Sequence, residues 1–247
     1  MSIMFSSPLA RLGFSFALAA ASYSLFAFTA GAVAAQKPRR YLVRLQPLAG
    51  GPATLHSLSA RFAVKPHRVF SHALQGFSAD LTPAQAAALK SDPRVADIQP
   101  DRVARLIAHA GSAKVVSSKV LRRLKRNQQI PTGISRCGAD KSPTAAIDGF
   151  DNPMDVDIAV FDTGIERRHP DLNVVETVNF VGKGAGDPNG HGTHVAGIAA
   201  AIDNGIGVVG VAPGARLWSL RVLNRKGFGS WADIVDALDW VAARADQ

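Results

Sequence analysis

Val156-Asp157-Ile158-Ala159-Val160-Phe161-Asp162-Thr163-Gly164 is a mostly apolar run that closes on an aspartate and a Thr-Gly turn. Downstream, Gly190-His191-Gly192-Thr193-His194-Val195-Ala196-Gly197 puts a histidine at the mouth of an apolar, small-residue helix. The first stretch reads as a buried strand with Asp162 at its carboxyl end, where open α/β sheets hold their ligands. An imidazole titrates near neutrality and so suits proton transfer, provided a carboxylate behind it fixes its tautomer and stabilises the imidazolium. Asp162 fits the orienting role and His191 the base, which makes two thirds of an acyl-transfer triad. Glycines 190 and 192 would let backbone come close to the imidazole. Taken singly, Asp162 is a strand-end turn residue and His191 a helix-start cap. With both motifs present, 29 positions apart (162 to 191), the pair is the candidate catalytic centre.

His191 and His194 lie three apart on the same helix, which raises the question of zinc. The His-Glu-x-x-His spacing that carries a zinc and its base is absent, since residue 192 is Gly. His194 is therefore expected to be a packed or hydrogen-bonded helix residue.

A chain of 247 residues has room for one or two domains. Its N-terminus is separate in character. Residues 12–35 carry no charge, follow Arg11, and end in Ala32-Val33-Ala34-Ala35, the form of a secretory signal peptide cleaved after Ala34 or Ala35. The run is long enough to span a bilayer as an anchor, but serines interrupt it and small residues close it, so residues 1–35 are read as a signal. The net charge of +9 is concentrated: residues 102–126 hold eight Lys or Arg and no acid, leaving +1 for the rest. A polyanion-binding surface is one reading of such a run. Without interleaved aromatics, and between two folded-looking segments, residues 106–127 read instead as a solvated linker, and no nucleic-acid partner is expected. Cys137 is the one cysteine, so it is either a buried small hydrophobe or half of a bridge to something outside this chain.

Between the signal and the linker, residues 36–105 form a unit with its own pattern. Tyr41–Leu45 alternates like a strand and Leu55–Phe62 reads as a helix. Arg68–Leu74 and Gly76–Leu81 read as strands around a tight turn at Gln75-Gly76. Thr82-Pro83-Ala84-Gln85 opens a helix to Lys90 with a capping box, and Val95–Gln99 makes a last strand. Strand, helix, strand, strand, helix, strand is the ferredoxin-like α+β order. Residues 128–247 alternate strands and helices, as a doubly wound parallel sheet does. There, Leu217–Val222 is a strand, and Ser230 with Asp233 caps a helix from Trp231 to Ala245. As the last strand in the chain, Leu217–Val222 is expected at an unpaired sheet edge.

These motifs resemble the subtilisin-like serine proteases (subtilases), whose triad runs Asp, His, Ser. The resemblance implies an α/β fold. In it, a ferredoxin-like propeptide, or inhibitor, domain precedes a subtilisin-like domain of which residues 128–247 are the N-terminal half. Asp162 and His191 match the family's catalytic motifs. Gly227-Phe228-Gly229-Ser230-Trp231 resembles the segment bordering the substrate cleft, which implies substrate-binding roles for Gly229 and Trp231. Ile202–Val208 resembles a loop that wraps a structural calcium ion; the implied ligands are Gln128, Asp171, Ile202, Asn204, Ile206 and Val208. The resemblance departs at the nucleophile. Ser219 and Ser230 are the only serines after His191, and neither lies in the family's nucleophile motif. The expectation is a secreted (extracellular or periplasmic) serine endopeptidase precursor, or zymogen, present as a fragment without its nucleophile Ser and oxyanion Asn, and inactive as such. Its expected partners are a peptide or protein substrate and its own propeptide as intramolecular inhibitor, with no stable membrane association after signal cleavage. The rivals are a truncated, non-catalytic protein whose propeptide domain binds, blocks or helps fold a subtilase, and a basic polyanion-binding protein.

Overall fold

Alternating apolar residues build the first sheet in the computed structural model, which describes residues 37–47, 51–106, 128–184 and 186–245. The signal peptide expected over 1–35 and the basic linker, apart from Leu106, lie outside the described residues. The elements are β1 (Arg39–Leu45), α1 (Pro52–Phe62), β2 (Pro66–Phe70), β3 (Gly76–Leu81), α2 (Pro83–Lys90) and β4 (Val95–Pro100). The sheet order is β2-β3-β1-β4 with every neighbouring pair antiparallel, the ferredoxin-like arrangement. Val43, Leu45, Phe77, Ala79 and Leu81 point to one face, where Leu58 of α1 and Leu89 of α2 close a core. Each large side chain buried there contributes about 2 kcal/mol.

Helix α2 starts as its sequence demands. Thr82 Oγ1 accepts from the Gln85 amide at 3.2 Å, and Gln85 Oε1 accepts from the Thr82 amide at 3.0 Å. Helix α1 begins at Pro52, three residues before the expected start. Gly51 precedes it with φ of +129°, and a proline fits the first turn because its missing N–H would be unpaired there anyway.

Strand β2 corrects the expectation more sharply. It stops at Phe70, and residues 71–75 form a loop where Arg68–Leu74 was expected to be strand up to a tight turn. The amides of Ser71, His72 and Ala73 turn away from the sheet and donate to the Asp239 carboxylate at 2.6–3.1 Å. A charged acceptor outcompetes a neutral sheet ladder for these donors.

The second sheet is parallel. It contains β6 (Asp157–Asp162), β7 (Val174–Asn179) and β8 (Arg216–Arg221) in the order β6-β8-β7. Three helices accompany it: α3 (Thr132–Arg136), α4 (His191–Ala200) and α5 (Trp231–Ala242), the last ending three residues short of Ala245. Val160 and Leu217 pack with Ala196 and Ala200 of α4 on one face, while Leu220 and Phe161 pack with Ala237 and Trp240 of α5 on the other. Helices on both faces make the sheet doubly wound.

Strand β8 is central, not at the edge. Its residues pair with both β6 and β7, and Leu217, Ser219 and Leu220 are fully buried, as a strand enclosed on all sides requires. The sheet edges among these strands are β6 and β7. Strand β7 had no sequence signal: Val-Val-Glu-Thr-Val-Asn lacks clean alternation, and its ladder is irregular between Val174 and Glu176.

A third, two-stranded sheet joins the two regions: β5 (Val103–Arg105) runs antiparallel to β9 (Phe228–Ser230). No helix among the described residues is long and apolar enough to cross a membrane.

Candidate active site

Strand β6 delivers Asp162 to its carboxyl end, and the amides of Val222 and Leu223 donate to the Asp162 carbonyl at 2.9 and 3.0 Å, tying that end to the exit of β8. Helix α4 starts at His191, with Gly190 before it at φ of +96°. Gly192 is fitted to the crossing point, because a Cβ there would come within 2.1 Å of the Gly164 carbonyl oxygen and 3.0 Å of Asp162 Cβ. This close approach places His191 Nδ1 2.8 Å from both carboxylate oxygens of Asp162. The Thr163 amide donates to Asp162 Oδ1 at 2.7 Å. Asp162 is buried, whereas the His191 side chain is 39% exposed. With Nδ1 engaged, Nε2 is the nitrogen left to exchange a proton with a reacting group. His194 differs from expectation: it is exposed, because it points away from the Ala196–Ala200 side of α4.

Neither serine after His191 is available for attack. Ser219 Oγ is buried on β8 and accepts from the Ile165 amide at 2.9 Å. Ser230 caps α5 in a capping box with Asp233. Cys137 is exposed, so the reading of it as a buried hydrophobe is set aside; its thiol lies 3.2 Å from the Ile134 carbonyl.

Gly229 lies in β9 and Trp231 directly follows it, and β9 is paired along its length by β5. Ala104 pairs with Gly229, the Leu106 amide donates to the Gly227 carbonyl at 2.9 Å, and the Trp231 amide donates to the Arg102 carbonyl at 3.0 Å. A Cβ on Gly229 would meet the Val222 carbonyl at 2.0 Å, so this strand lies tight on the exit of β8. Ala104 and Leu106 pack against the Leu220–Ala237 cluster, while Val103 is 72% exposed. The Trp231 side chain is about half exposed at the end of this strand.

The six expected calcium ligands also come together. The Gln128 amide group bridges the 202–208 loop, donating to the Ile202 carbonyl at 3.2 Å and accepting from the Gly205 amide at 2.7 Å. Asn204 Oδ1 accepts from the Ile206 amide, and its Nδ2 donates to Asp171 Oδ1 at 3.1 Å. The Val208 amide lies 3.4 Å from Asp171 Oδ2. Burial pushes the Asp171 carboxyl up to about 6, against the Val208 amide and the Asn204 side chain, which pull it down. Asp171 is a buried carboxylate, and the Asn204 and Gln128 side-chain amides each carry an oxygen beside it, the type of donor a hard cation takes, so these residues are compatible with calcium. Asp203, in the same loop, turns the other way and accepts from the Asp148 and Gly149 amides, each at 2.8 Å.

The acids on one side of α5 make contacts with β2 and the 71–73 loop that sequence reading missed. Arg68 of β2 pairs with Asp233 at 2.9 Å and with Asp236, and donates to the Phe180 carbonyl at 2.8 Å. Burial raises the Asp236 carboxyl, with Arg68 opposing it. Burial works against the Asp239 carboxylate too, but the amides of His72, Ser71 and Ala73 outweigh it and hold its pKa below the ordinary value. Asp101 caps the start of α5 from outside, accepting from the Ala232 amide at 3.1 Å. The signal was present as Asp233, Asp236 and Asp239 at a spacing of three along an amphipathic helix, but an acidic stripe ordinarily means a solvated face. Asp187, which reads as one residue of a loop, was missed as well.

Comparison with known proteins follows this division. Residues 154–247 match the subtilase family, and residues 52–106 match the peptidase inhibitor I9 family. The chain is similar to an alkaline protease of Alkalihalobacillus alcalophilus, 38% identical over 168 residues, which is 66% of this chain and 37% of that protein. Subtilisin E of Bacillus subtilis (strain 168) is 37% identical over 155 residues, 62% of this chain and 35% of its own length. Subtilisin Savinase of Lederbergia lenta is 45% identical over 118 residues, 46% of this chain and 41% of its own. The chain thus spans well under half the length of these relatives.

Proposed function

We propose, on the premise that this chain belongs to the subtilase family and carries a peptidase inhibitor I9 domain ahead of its protease segment, that it is the N-terminal portion of a secreted subtilisin-like serine endopeptidase precursor. The observation that carries this reading is His191 Nδ1 held 2.8 Å from a buried Asp162 at the end of a parallel strand. In the proposed mechanism Asp162 orients the imidazole, and His191 Nε2 takes the proton of a serine hydroxyl as that oxygen attacks a peptide carbonyl. His191 then returns the proton to the departing amine, and water releases the acyl group by the reverse sequence. The serine nucleophile and the oxyanion Asn are not among residues 1–247 in this reading, since Ser219 and Ser230 are both committed to structure.

The pairing of β5 with β9 supports autoinhibition by the chain's own propeptide. Residues Arg102–Leu106 bond to the strand at Gly227–Trp231 as an extended peptide substrate would. The same contact favours a second role, in which the inhibitor domain blocks or helps fold a subtilase supplied in trans. Calcium would be held by Asp171, Asn204, Gln128 and the carbonyls of Ile202, Ile206 and Val208, where it would stabilise the loop and take no part in chemistry. The uncharged apolar stretch 12–35 supports export to the extracellular or periplasmic space.

Peptide hydrolysis by a longer version that carries the nucleophile tests the reading. It should cleave chromogenic peptides, and His191→Ala should cut kcat by roughly 10⁴–10⁶-fold, the scale on which triad members act as a unit. Full activity in His191→Ala would refute it.

A further inference from the structure

Asp187 is a buried carboxylate whose hydrogen-bond donors are all neutral. Its Oδ1 accepts from the Thr163 hydroxyl at 2.7 Å, the Gly190 amide at 2.8 Å and the Asn189 amide at 3.1 Å. Its Oδ2 accepts from the Thr193 amide at 2.9 Å and the Thr193 hydroxyl at 2.7 Å. Burying a carboxylate without a cation is costly unless its lone pairs are filled, and here five donors and the positive end of α4 fill them.

A helix cap needs less than this. One oxygen accepting from the third helical residue is sufficient, and Oδ2 does that at Thr193. The bonds of Oδ1 go elsewhere. The Thr163 hydroxyl that donates to Asp187 also accepts from the Gly192 amide at 3.0 Å. Thr163 follows Asp162 directly, and its amide donates to the Asp162 carboxylate at 2.7 Å. Gly190 and Gly192 flank His191. One carboxylate therefore holds the backbone on both sides of the imidazole and, through one hydroxyl, the residue next to the partner acid.

We propose that Asp187 is a positioning residue for the Asp162–His191 pair. Its carboxylate and the Thr163 hydroxyl set the separation between the end of β6 and the start of α4, and with it the Nδ1 contact. This rests on the reading of that pair as the base half of a triad. Preorganised geometry of this kind matters because small misplacements of a proton-transfer group cost large factors in rate.

Proton NMR of the intact 247-residue chain tests it. The Nδ1 proton of His191, sequestered against Asp162, should give a far-downfield, slowly exchanging signal that Asp162→Asn removes. Asp187→Asn places amide hydrogens against amide donors, and Thr163→Val removes the bridging hydroxyl at constant shape; both should abolish the signal. Thr163→Ser should retain it, as should Thr82→Ala, which removes a cap in the inhibitor domain and controls for general loss of stability. Retention in both Asp187→Asn and Thr163→Val would overturn the proposal, and if Asp187→Asn does not fold, Thr163→Val decides alone. The signal reports a hydrogen bond inside this chain, so failure of the pair to support peptide hydrolysis would leave it unchanged and the two ideas separable.

Discussion

The two sheets solve the problem of burial in different ways. The antiparallel sheet of the inhibitor domain covers one face with its own helices α1 and α2 and leaves the other to α5, across a cavity of about 210 Å³ lined by Leu42, Arg44, Phe70, Gln99 and Val235. The parallel sheet has α4 on one face and α5 on the other. Phe70 is 1% exposed although it belongs to no core within its own domain. The inhibitor domain is thus a half-covered module completed by its neighbour, and the helix that completes it also borders the strand into which β5 docks.

Separating the regions gives the largest expected effect. Residues 37–106 alone expose the face that α5 covers, and a unit of this size has little core to spare. Circular dichroism should show no cooperative thermal transition for this fragment, against a cooperative one for its signals in the intact chain. A fragment as stable as the intact chain would mean that α5 contributes no burial.

Gly192→Ala should damage the parallel region while sparing the inhibitor core. The new methyl would sit 2.1 Å from the Gly164 carbonyl oxygen, and relieving that overlap should cost about 3 kcal/mol. Amide exchange should accelerate across β6 and α4 and stay unchanged at Leu58 and Leu89. Asp239→Ala does the reverse. It removes the acceptor of three amides in the 71–73 loop, worth about 2 kcal/mol, so exchange there should quicken roughly 30-fold with the parallel sheet unaffected.

The smallest effect concerns the 202–208 loop. Burial raises the Asp171 carboxyl above its ordinary value to about 6. Without metal, the stability it confers is complete below about pH 4 and is lost as pH rises through 6. Calcium bound as proposed would reverse this penalty by pairing with the ionised form. Millimolar calcium should therefore raise the melting temperature by a few degrees at pH 7.5 and less at pH 5. Asp171→Asn should abolish the gain, and a gain that survives both it and Asn204→Ala would place the ion elsewhere.

Much of this was legible in the residues because local and tertiary demands agreed. Alternation at Tyr41–Leu45 and Gly76–Leu81, and the capping boxes at Thr82 and Ser230, state the same structure at both levels. The Asp162–His191 pair was legible only because the two motifs occur together, since either residue alone reads as a strand-end turn or a helix cap. What escaped was set by distant partners. Strand β2 stops at Phe70 because Asp239, over 160 positions away, takes its next amides. Strand β7 lacks period because an irregular ladder at the sheet edge tolerates it, and the central place of β8 is a matter of topology that no local pattern encodes. Asp187 stayed hidden because its local donors at 189, 190 and 193 look like an ordinary helix start, while the contact that ties it to the site, from the Thr163 hydroxyl, comes from 24 positions away.

Serine-directed labelling separates a chain that carries only the proposed orienting acid and base, Asp162 and His191, from one that also carries a nucleophile. A fluorophosphonate should leave the purified 247-residue chain unlabelled and should label a longer version stoichiometrically, with His191→Ala abolishing that labelling. Stoichiometric labelling of the 247-residue chain that persists when Ser219 and Ser230 are both replaced would show a nucleophile elsewhere in residues 1–247, and labelling lost with either replacement would identify that serine as the nucleophile.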